Sequence, residues 1–250
     1  MLINFEEKVV LITGASQGIG KAIADQFFQQ GSFLILVSRS IKNFDQNVID
    51  HPNSLIVEAD VTTPQGVRRV NDAVSSLNRN LDVLICNVGS GSSSAPGLEI
   101  KLDWIKAFDV NFFSSVEIIS SLKKYLSRTE GSVVCISSIC GERVIKHAPI
   151  TYSAAKAALN AYIKGMSIPL SEVGIRINGI APGNILHENS VWHLKQSEDQ
   201  EALQEYLDKE VVLRRLGSAN EVAKMALWLA SDNMGFATGT IYKLDGGQIL

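Results

Sequence analysis

The sequence predicts an α/β fold, a doubly wound parallel sheet that helices cover on both faces. Short apolar runs rich in Val, Ile and Leu alternate with amphipathic segments of helical length along all 250 residues. The runs show little in/out alternation, which is typical of strands that are buried on both sides. No linker, repeat or low-complexity tract interrupts the series, so residues 1–250 are expected to form a single domain with three layers.

The predicted strands and helices follow each other in an order that implies right-handed crossovers between parallel strands. The predicted strands are residues 9–13, 33–38, 55–58, 83–87, 132–137, 176–180 and 241–244. The predicted helices are residues 19–30, 64–77, 102–126, 152–171 and 219–230. Two segments are less regular, the polar loop 90–97 and a predicted substrate lid at about 184–213. Both follow the carboxyl ends of strands, where open α/β sheets bind their ligands.

The composition argues against several classes of protein. Lys and Arg number 23 against 26 Asp and Glu, and the net charge of −3 does not favour a nucleic-acid partner. No apolar run is long enough to span a bilayer, and the acidic start of the chain does not resemble a signal peptide. The three cysteines, Cys86, Cys135 and Cys140, have no metal-ligand partners at a useful spacing. A cytoplasmic protein with reduced thiols and no membrane partner is expected.

A glycine-rich turn follows the first predicted strand and precedes the first predicted helix. It reads Thr13-Gly14-Ala15-Ser16-Gln17-Gly18-Ile19-Gly20. Gly14 permits a tight turn, Gly18 lets a phosphate approach the backbone, and Gly20 lets the helix pack closely on the strand. The N-terminus of the helix offers unpaired N–H groups to a diphosphate. Strand, turn and helix together predict a Rossmann-type site for a dinucleotide.

The glycine spacing resembles that of the short-chain dehydrogenases/reductases, and other motifs similar to those of the family follow in the family's order over about the whole chain. These motifs are Asp60-Val61, Cys86-Asn87-Val88-Gly89, Asn111, Ser138, Tyr152-x-x-x-Lys156, Pro182-Gly183 and Asp245-Gly246-Gly247. Cys86 and Val88 depart from the family's Asn-Asn-Ala-Gly turn. The chain resembles both the 3-oxoacyl-ACP reductases and the sugar dehydrogenases of this family. The resemblance implies a Rossmann-type α/β/α sandwich that uses a nicotinamide cofactor.

The resemblance also implies which residues bind that cofactor. They are Gly14, Ser16, Gln17, Gly18, Ile19, Gly20, Ser38, Arg39, Asp60, Val61, Asn87, Gly89, Tyr152, Lys156, Pro182, Gly183 and Ile185. The choice between NAD(H) and NADP(H) depends on the residues after the second strand, where an acid would bind the ribose 2′-hydroxyl of NAD. This chain has Ser38 and Arg39 there, and Arg39 can hold a 2′-phosphate by a charge-assisted contact. NADP(H) is therefore favoured over NAD(H), although Gln17 replaces a basic residue of many NADP-dependent relatives and Arg39 could be an ordinary surface residue.

Four residues are expected to form the catalytic site. Tyr152 and Lys156 are four residues apart, so they lie on one face of a helix. The resemblance implies that Tyr152 exchanges a proton with the substrate and that the Lys156 ammonium lowers the pKa of the phenol. It further implies that Ser138 holds the substrate oxygen and that Asn111 fixes a water that supplies protons through Lys156.

The expected reaction is hydride transfer between nicotinamide and a secondary alcohol or ketone. A polar, sugar-like compound fits a pocket walled by Ser90, Ser92, Ser93, Ser94, His187, Glu188 and Trp192. Reduction of a 3-oxoacyl thioester on acyl carrier protein is the alternative. Val173 and Ser132 stand at positions that are often basic in such reductases, while Arg214 and Arg215 keep the alternative open. A sensor that binds a dinucleotide without turnover is a further alternative, although none of the catalytic residues is missing.

The predicted lid carries two departures from the family pattern. His187 stands where many relatives have a threonine that contacts the nicotinamide amide, which leaves that contact open. His187 and His193 are six residues apart and do not share a helix face, so no metal site is predicted. The lid is also acidic, and a solvated helix face is the expected reason. Its acids are Glu188, Glu198, Asp199, Glu201, Glu205, Asp208 and Glu210.

The chain is expected to form a homo-oligomer, most simply a D2 tetramer. Predicted helices 102–126 and 152–171 both carry apolar stripes wider than one contact with a sheet requires. In the family these two helices pair across a two-fold axis. Residues 239–250, with Ile249 and Leu250 at the end, are expected to form a second axis.

Overall fold

A computed structural model describes residues 3–248. Ile249 and Leu250, which are predicted to take part in the second axis, lie outside the described residues. The strands are β1 (Val9–Thr13), β2 (Phe33–Ser38), β3 (Ser54–Glu58), β4 (Val83–Cys86), β5 (Ser132–Ile136), β6 (Arg176–Pro182), β7 (Ile185–Leu186), β8 (Gly217–Ser218) and β9 (Ile241–Leu244). All except β7 and β8 form a seven-stranded sheet in the order β3-β2-β1-β4-β5-β6-β9. Every neighbouring pair is parallel. The predicted fold class is confirmed.

Helices cover both faces of this sheet. They are α1 (Gly18–Gln29), α2 (Gln46–Ile49), α3 (Pro64–Ser76), α4 (Lys101–Phe108), α5 (Ser114–Leu126), α6 (Ile150–Ser171), α7 (Val191–Glu198), α8 (Gln200–Glu210) and α9 (Ala219–Ala230). Successive strand residues point to opposite faces, so Leu11 packs with α3, α5 and α6, whereas Val10 and Ile12 pack with α1 and α9. After β3 the chain crosses back to place β4 beside β1. This reversal is the topological switch point where such sheets bind ligands.

The predicted helix 102–126 is not continuous, because a π-helical turn at Asp109–Phe113 separates α4 from α5. Asn111 lies in this turn, and its Nδ2 donates a hydrogen bond to the Ala107 carbonyl oxygen at 3.0 Å. In a regular α-helix the backbone N–H of Asn111 would use that acceptor. A side chain that takes the place of a backbone donor is a common cause of such irregularities, and π turns are frequent at functional sites.

Other bounds differ from the predicted ones by a few residues. β4 ends at Cys86 and β5 at Ile136, while β6 continues to Pro182. α6 begins at Ile150, two residues before the predicted start. Within residues 3–248, no helix combines the length and the apolar composition that crossing a membrane requires.

The segment predicted as a lid contains α7 and α8, and it has a small apolar cluster of its own. Leu203, Leu207 and Val211 form the buried part of that cluster. The seven acids of this segment are all exposed, which agrees with a solvated helix face. Backbone hydrogen bonds join the end of the segment to the turn after β9, and one of them runs from Leu213 N–H to the Gly246 carbonyl oxygen at 3.0 Å.

Candidate active site

The turn between β1 and α1 requires glycine. Gly14 and Gly18 have φ angles of +65° and +55°, in the left-handed region that other residues rarely adopt. A Cβ on Gly20 would lie 2.1 Å from the Gly14 carbonyl oxygen. The Asn87 Nδ2 donates hydrogen bonds to the carbonyl oxygens of Thr13 and Gly14, both at 3.1 Å. Asn87 therefore ties this turn to the segment that follows β4.

The residues predicted at the adenosine end of a dinucleotide lie beyond β2 and β3. Ser38 is buried at the end of β2, and its hydroxyl donates a hydrogen bond to the Ser16 hydroxyl at 3.0 Å. Arg39 is exposed and makes no side-chain hydrogen bond or ion pair with residues 3–248. After β3, the Asp60 carboxylate accepts hydrogen bonds from the backbone and hydroxyl of the threonine two residues later, and Val61 is buried. These residues thus lie at the carboxyl ends of adjacent strands.

The residues predicted at the nicotinamide end follow β6. Pro182 is the last residue of that strand, and Ile185 is buried in β7. Gly183 lies against the turn after β9, since a Cβ on it would be 2.8 Å from the Asp245 Cβ. Along the carboxyl edge of the sheet, the exposed Arg39 after β2, the glycine turn after β1 and the buried end of β6 therefore follow the order of adenosine, diphosphate and nicotinamide in a dinucleotide. These residues fit the predicted cofactor.

The predicted lid touches the glycine turn directly. Asn189 Nδ2 donates a hydrogen bond to Gln17 Oε1 at 3.0 Å, and Gln17 is the residue that precedes α1. The His187 ring lies against Gly18. Ile19 is half-buried in the first turn of α1. The contact that the sequence leaves open at His187 is therefore with the glycine turn.

The four predicted catalytic residues lie around the end of β5 and the start of α6. Ser138 is buried just after β5, and Tyr152 and Lys156 are one turn apart on α6. Lys156 Nζ lies 5.9 Å from the centre of the Tyr152 ring. A Cβ on Gly89 would be 3.1 Å from both Asn111 Oδ1 and Lys156 Nζ. Asn111 and Lys156 therefore face each other across the Gly89 backbone, which only glycine leaves open.

The Asn111 amide fastens the loop after β4 to the π turn. Its Oδ1 accepts a hydrogen bond from the Ser90 N–H, and its Nδ2 donates one to the Ser90 carbonyl oxygen, both at 2.9 Å. Together with the bond to Ala107, these contacts use both amide hydrogens. One lone pair of Oδ1 remains for a water molecule, on the side of Gly89 and Lys156.

Burial opposes the ionisation of Tyr152 and of Lys156. It raises the pKa of Tyr152 to about 12, although the neighbouring Ser138 hydroxyl acts to lower it. It lowers the pKa of Lys156 to about 8, and Lys156 Nζ donates a hydrogen bond to the Ile136 carbonyl oxygen at 2.8 Å. For the protein alone, burial is the largest cause acting on the pKa of Tyr152, and it opposes ionisation. That Lys156 lowers the pKa of the phenol stays a prediction.

Glu99 is a residue of the site that the sequence does not reveal. Its Oε1 accepts a hydrogen bond from the Ile150 N–H at 2.7 Å, at the first turn of the helix that carries Tyr152. Pro149 at the N-cap has no side-chain acceptor, so a carboxylate from a distant loop caps this helix. Ser93 also binds this end of α6, because its hydroxyl lies 2.8 Å from that of Thr151.

The predicted serine wall of the pocket needs correction. Ser94 donates a hydrogen bond to Asp103 Oδ2 at 2.8 Å, and Ser93 pairs with Thr151 as described above. Both hydroxyls are therefore used to hold the loop 90–97 on α4 and α6. Where the serine hydroxyl is the donor, it offers a substrate only its acceptor lone pairs, as Ser94 does.

A second polar wall comes from the lid and the turn after β9. The Tyr206 hydroxyl accepts hydrogen bonds from Asn184 Nδ2 and Gln248 Nε2, both at 3.2 Å, and its ring stacks on Trp192 with 5.4 Å between centres. No sequence pattern links these residues, since they come from separate elements.

The loop after Ser138 is held to the same turn by an ion pair. Arg143 Nη2 lies 2.6 Å from Asp245 Oδ2, and both side chains are largely buried. Two buried atoms beside it, Arg143 Nε and Gln248 Oε1, have no hydrogen-bond partner within residues 3–248. Buried polar atoms without partners are rare and commonly meet a ligand or water.

Comparisons with known proteins agree with this geometry. A family model described as enoyl-(acyl carrier protein) reductase matches residues 14–248. Glucose 1-dehydrogenase 2 of Bacillus subtilis is 28% identical over 253 residues, which cover 97% of this chain and 95% of that protein. The crystal structure of L-sorbose reductase from Gluconobacter frateurii, complexed with NADPH and L-sorbose, has a TM-score of 0.91 at 28% identity and covers 100% of this chain and 99% of that chain.

One solved relative carries the other cofactor. The 7α-hydroxysteroid dehydrogenase complexed with NADH and 7-oxo glycochenodeoxycholic acid has a TM-score of 0.88 at 26% identity, and it covers 99% of this chain and 96% of that chain. Fold, site and relatives together define an oxidoreductase that acts on CH–OH groups with NAD(P). The chain belongs to the short-chain dehydrogenase/reductase family.

Proposed function

We propose that Tyr152, Ser138, Lys156 and Asn111 catalyse hydride transfer between NADP(H) and a small polar hydroxy or keto compound. The observation that carries this proposal is the meeting of these four side chains beside the glycine turn, although they come from three separate segments of the chain. A bound nicotinamide supplies or accepts the hydride. Every other part of the reaction falls to side chains of the protein.

Tyr152 is the proton donor in reduction and the proton acceptor in oxidation. The Ser138 hydroxyl donates a hydrogen bond to the substrate oxygen and so stabilises the charge that develops on it. Lys156 and Asn111 hold a water between them across Gly89, which replaces the proton that Tyr152 gives up. Since the pKa of Tyr152 in the protein alone is about 12, added positive charge at the site is what makes this exchange possible near neutral pH.

The direct test is a panel of carbonyl compounds and alcohols, with the absorbance of NADPH as the readout. The panel contains sugars, nucleotide sugars, simple ketones and 3-oxoacyl thioesters. Turnover of sugar-like ketones supports the proposal, whereas turnover of thioesters alone favours the alternative reductase. The absence of turnover with every compound, together with tight cofactor binding, would favour the sensor.

The second polar wall supports a polar substrate. Tyr206, Gln248, Arg143 and Asp245 offer hydrogen-bond donors and acceptors to a polyhydroxylated compound, and two of their buried atoms, Arg143 Nε and Gln248 Oε1, have no partner within residues 3–248. Arg215, which kept the carrier-protein alternative open, is paired with Glu221 through two hydrogen bonds of 2.7 and 3.1 Å. It is therefore less available to a polyanionic carrier. Glucose 1-dehydrogenase 2 and L-sorbose reductase, similar over nearly the whole chain, are named for sugars.

We further propose that residues 184–213 act as a lid within one domain and that the protein is cytoplasmic. The lid has a separate apolar cluster, so it can move over the sheet edge as a unit. The three cysteines are free, as is usual for proteins of reducing compartments.

NADP(H) is the proposed cofactor, because Arg39 is exposed at the end of β2 and free to meet a 2′-phosphate. Arg39→Asp should lower the affinity for NADPH by about 10- to 150-fold, since a hydrogen bond to a charged group is worth about 1.5–3 kcal/mol. The affinity for NADH should rise, because the carboxylate can accept a hydrogen bond from the ribose 2′-hydroxyl. Fluorescence titrations of the wild-type protein and the variant with NADPH and with NADH measure these changes in affinity.

The control for Arg39→Asp is Lys124→Asp, which makes the same change of charge on α5 near the amino end of β5. It should leave both affinities unchanged. A wild-type protein that already prefers NADH would show that Arg39 is only a surface residue.

We also propose a homo-oligomer in which α4, α5 and α6 of two subunits pack together. The exposed face of α6 carries the small residues Ala157, Ala161 and Gly165 at a spacing of four, followed by Ile168. Small residues at this spacing allow close approach of helices. Phe113, at the end of the π-helical turn before α5, is 45% exposed and adds apolar area. Phe236, fully exposed near the edge strand β9, supports a second axis and hence a tetramer.

Light scattering measures this assembly directly. The wild-type protein should have about four times the 27.2 kDa mass of the monomer. Ala161→Arg should reduce the mass, because a long charged side chain cannot fit between packed helices. Ala202→Arg on the exposed face of α8 is the control and should not change it. A wild-type mass near that of the monomer would refute the oligomer, and a dimer would refute only the second axis.

A further inference from the structure

The side chain of His187 lies on the glycine turn at the start of α1. A Cβ on Gly18 would be 3.1 Å from both Cε1 and Nδ1 of the imidazole. Gly18 has no Cβ, so the ring rests against the backbone of the turn. The position follows from β7, which ends one residue earlier and directs the chain across the sheet edge towards α1.

The backbone that carries this ring is held by its neighbours. The Ser190 hydroxyl donates to the His187 carbonyl oxygen at 2.7 Å and accepts from the His187 N–H at 3.1 Å. Two residues further along than His187, Asn189 binds Gln17 on the other side of the same turn. The segment 187–190 is therefore docked on the glycine turn at two points.

The Nδ1 atom of His187 is buried and has no hydrogen-bond partner within residues 3–248. Buried polar groups are nearly always paired, so an unpaired ring nitrogen needs an explanation. Burial also lowers the pKa of His187, which keeps the imidazole neutral near pH 7 and leaves it one N–H to donate. In the tautomer that carries this hydrogen on Nδ1, the partner that the ring lacks is an acceptor.

The backbone N–H groups at the start of α1 also need a hydrogen-bond acceptor. Its N-cap residue, Gln17, makes no side-chain hydrogen bond to the helix, and the first turn contains no acid. The first N–H groups of α1 therefore lack the acceptors that usually satisfy them. An anionic group placed on Gly18 would accept from these N–H groups and from His187 together.

We propose that His187 donates a hydrogen bond from Nδ1 to a phosphate oxygen of the dinucleotide's diphosphate. This inference rests on the proposed function, because it requires the cofactor to bind at the glycine turn. His187 is then a cofactor-binding residue that closes the diphosphate site from the side of the lid. It does not act on the nicotinamide amide.

Isothermal titration with cofactor fragments tests the contact without any turnover. The probes are NADPH, 2′-phospho-ADP-ribose, which keeps the diphosphate but lacks nicotinamide, and adenosine 2′-phosphate, which lacks both. The proposal predicts that His187→Ala weakens the binding of the first two probes by about tenfold or more, as expected for a hydrogen bond to a charged group. The binding of adenosine 2′-phosphate should not change. If the wild-type protein prefers NADH, the same experiment uses NADH, ADP-ribose and adenosine in place of the three phosphorylated probes.

Two further variants separate a direct contact from a change in folding. His187→Asn places an amide N–H near the position of Nδ1 and should restore most of the lost affinity. His193→Ala removes the exposed histidine of the nearby α7 and should change no affinity. Thermal unfolding of all three variants shows whether each one folds.

The other outcomes overturn the inference in distinct ways. A loss confined to NADPH would mean that the imidazole contacts the nicotinamide amide. Equal losses for all three probes would mean that His187 only supports the lid. Unchanged or tighter binding by His187→Ala would mean that the ring makes no contact or obstructs the diphosphate. Failure of the wild-type protein to bind either dinucleotide would instead refute the proposed function itself.

Discussion

Tyr152→Phe should reduce kcat by about 100- to 10,000-fold, the range that general acid–base catalysis contributes. The substitution removes only the hydroxyl that exchanges a proton with the substrate oxygen. The ring still fills its place at the start of α6, so the affinity for the cofactor should remain within about twofold. Steady-state kinetics with the best substrate of the panel, together with cofactor titration, measures both quantities.

Tyr162→Phe is the matched control, because it removes a hydroxyl from the same helix. Tyr162 follows Lys156 by six residues on α6, and its ring packs edge-on against Phe112 at 5.9 Å. Removal of the Tyr162 hydroxyl should leave kcat almost unchanged. If Tyr152→Phe retained more than a few per cent of the wild-type activity, Tyr152 would not be the proton donor.

Lys156→Met should make the protein alone more stable at pH 7, by about 2 kcal/mol. Burial lowers the pKa of Lys156 from 10.5 to about 8. Between these two values the unfolded chain holds more protons than the folded one, so the free energy of unfolding rises with pH. Below pH 8 the buried ammonium therefore costs about 3 kcal/mol. The variant also loses the hydrogen bond from Lys156 Nζ to the Ile136 carbonyl oxygen, which reduces the expected stabilisation by about 1 kcal/mol.

The pH dependence is the diagnostic part of this result. The advantage of Lys156→Met should fall as the pH rises from 8 to 10.5, because the folded wild-type protein then holds a neutral lysine and no longer buries a charge. Denaturant unfolding at pH 7 and pH 10, in reductant and without cofactor, measures it. Lys164→Met, which removes an exposed lysine of the same helix, should differ from the wild type by a small and constant amount. A constant difference for Lys156→Met as well would show that burial does not shift the ionisation of Lys156.

Much of the site could be predicted because parallel strands end at the same edge of a sheet. Gly14, Ser38, Ser138 and Pro182 each follow or end a strand that is visible in the sequence as a short apolar run. Knowing the strands was therefore enough to bring these residues together. The spacing of Tyr152 and Lys156 similarly fixed their common face on α6.

The parts that could not be predicted depend on contacts between distant segments. Glu99 caps α6 from 51 residues away, and no local pattern announces such a pairing. The serines of loop 90–97 look free in the sequence, yet their partners are Asp103 and Thr151. The raised pKa of Tyr152 follows from burial, which is a property of the packed molecule and not of any motif.

The π-helical turn at Asp109–Phe113 has a consequence for the length of this helix. Such a turn holds one residue more than a regular α-helical turn, so it is equivalent to the insertion of one residue into a helix. Each residue of an α-helix adds about 100° of rotation. Deleting one residue here would straighten the helix and swing all of α4 by that angle around α5. The position of the Asn111 side chain thus depends on how many residues the turn before α5 contains, as well as on which residues they are.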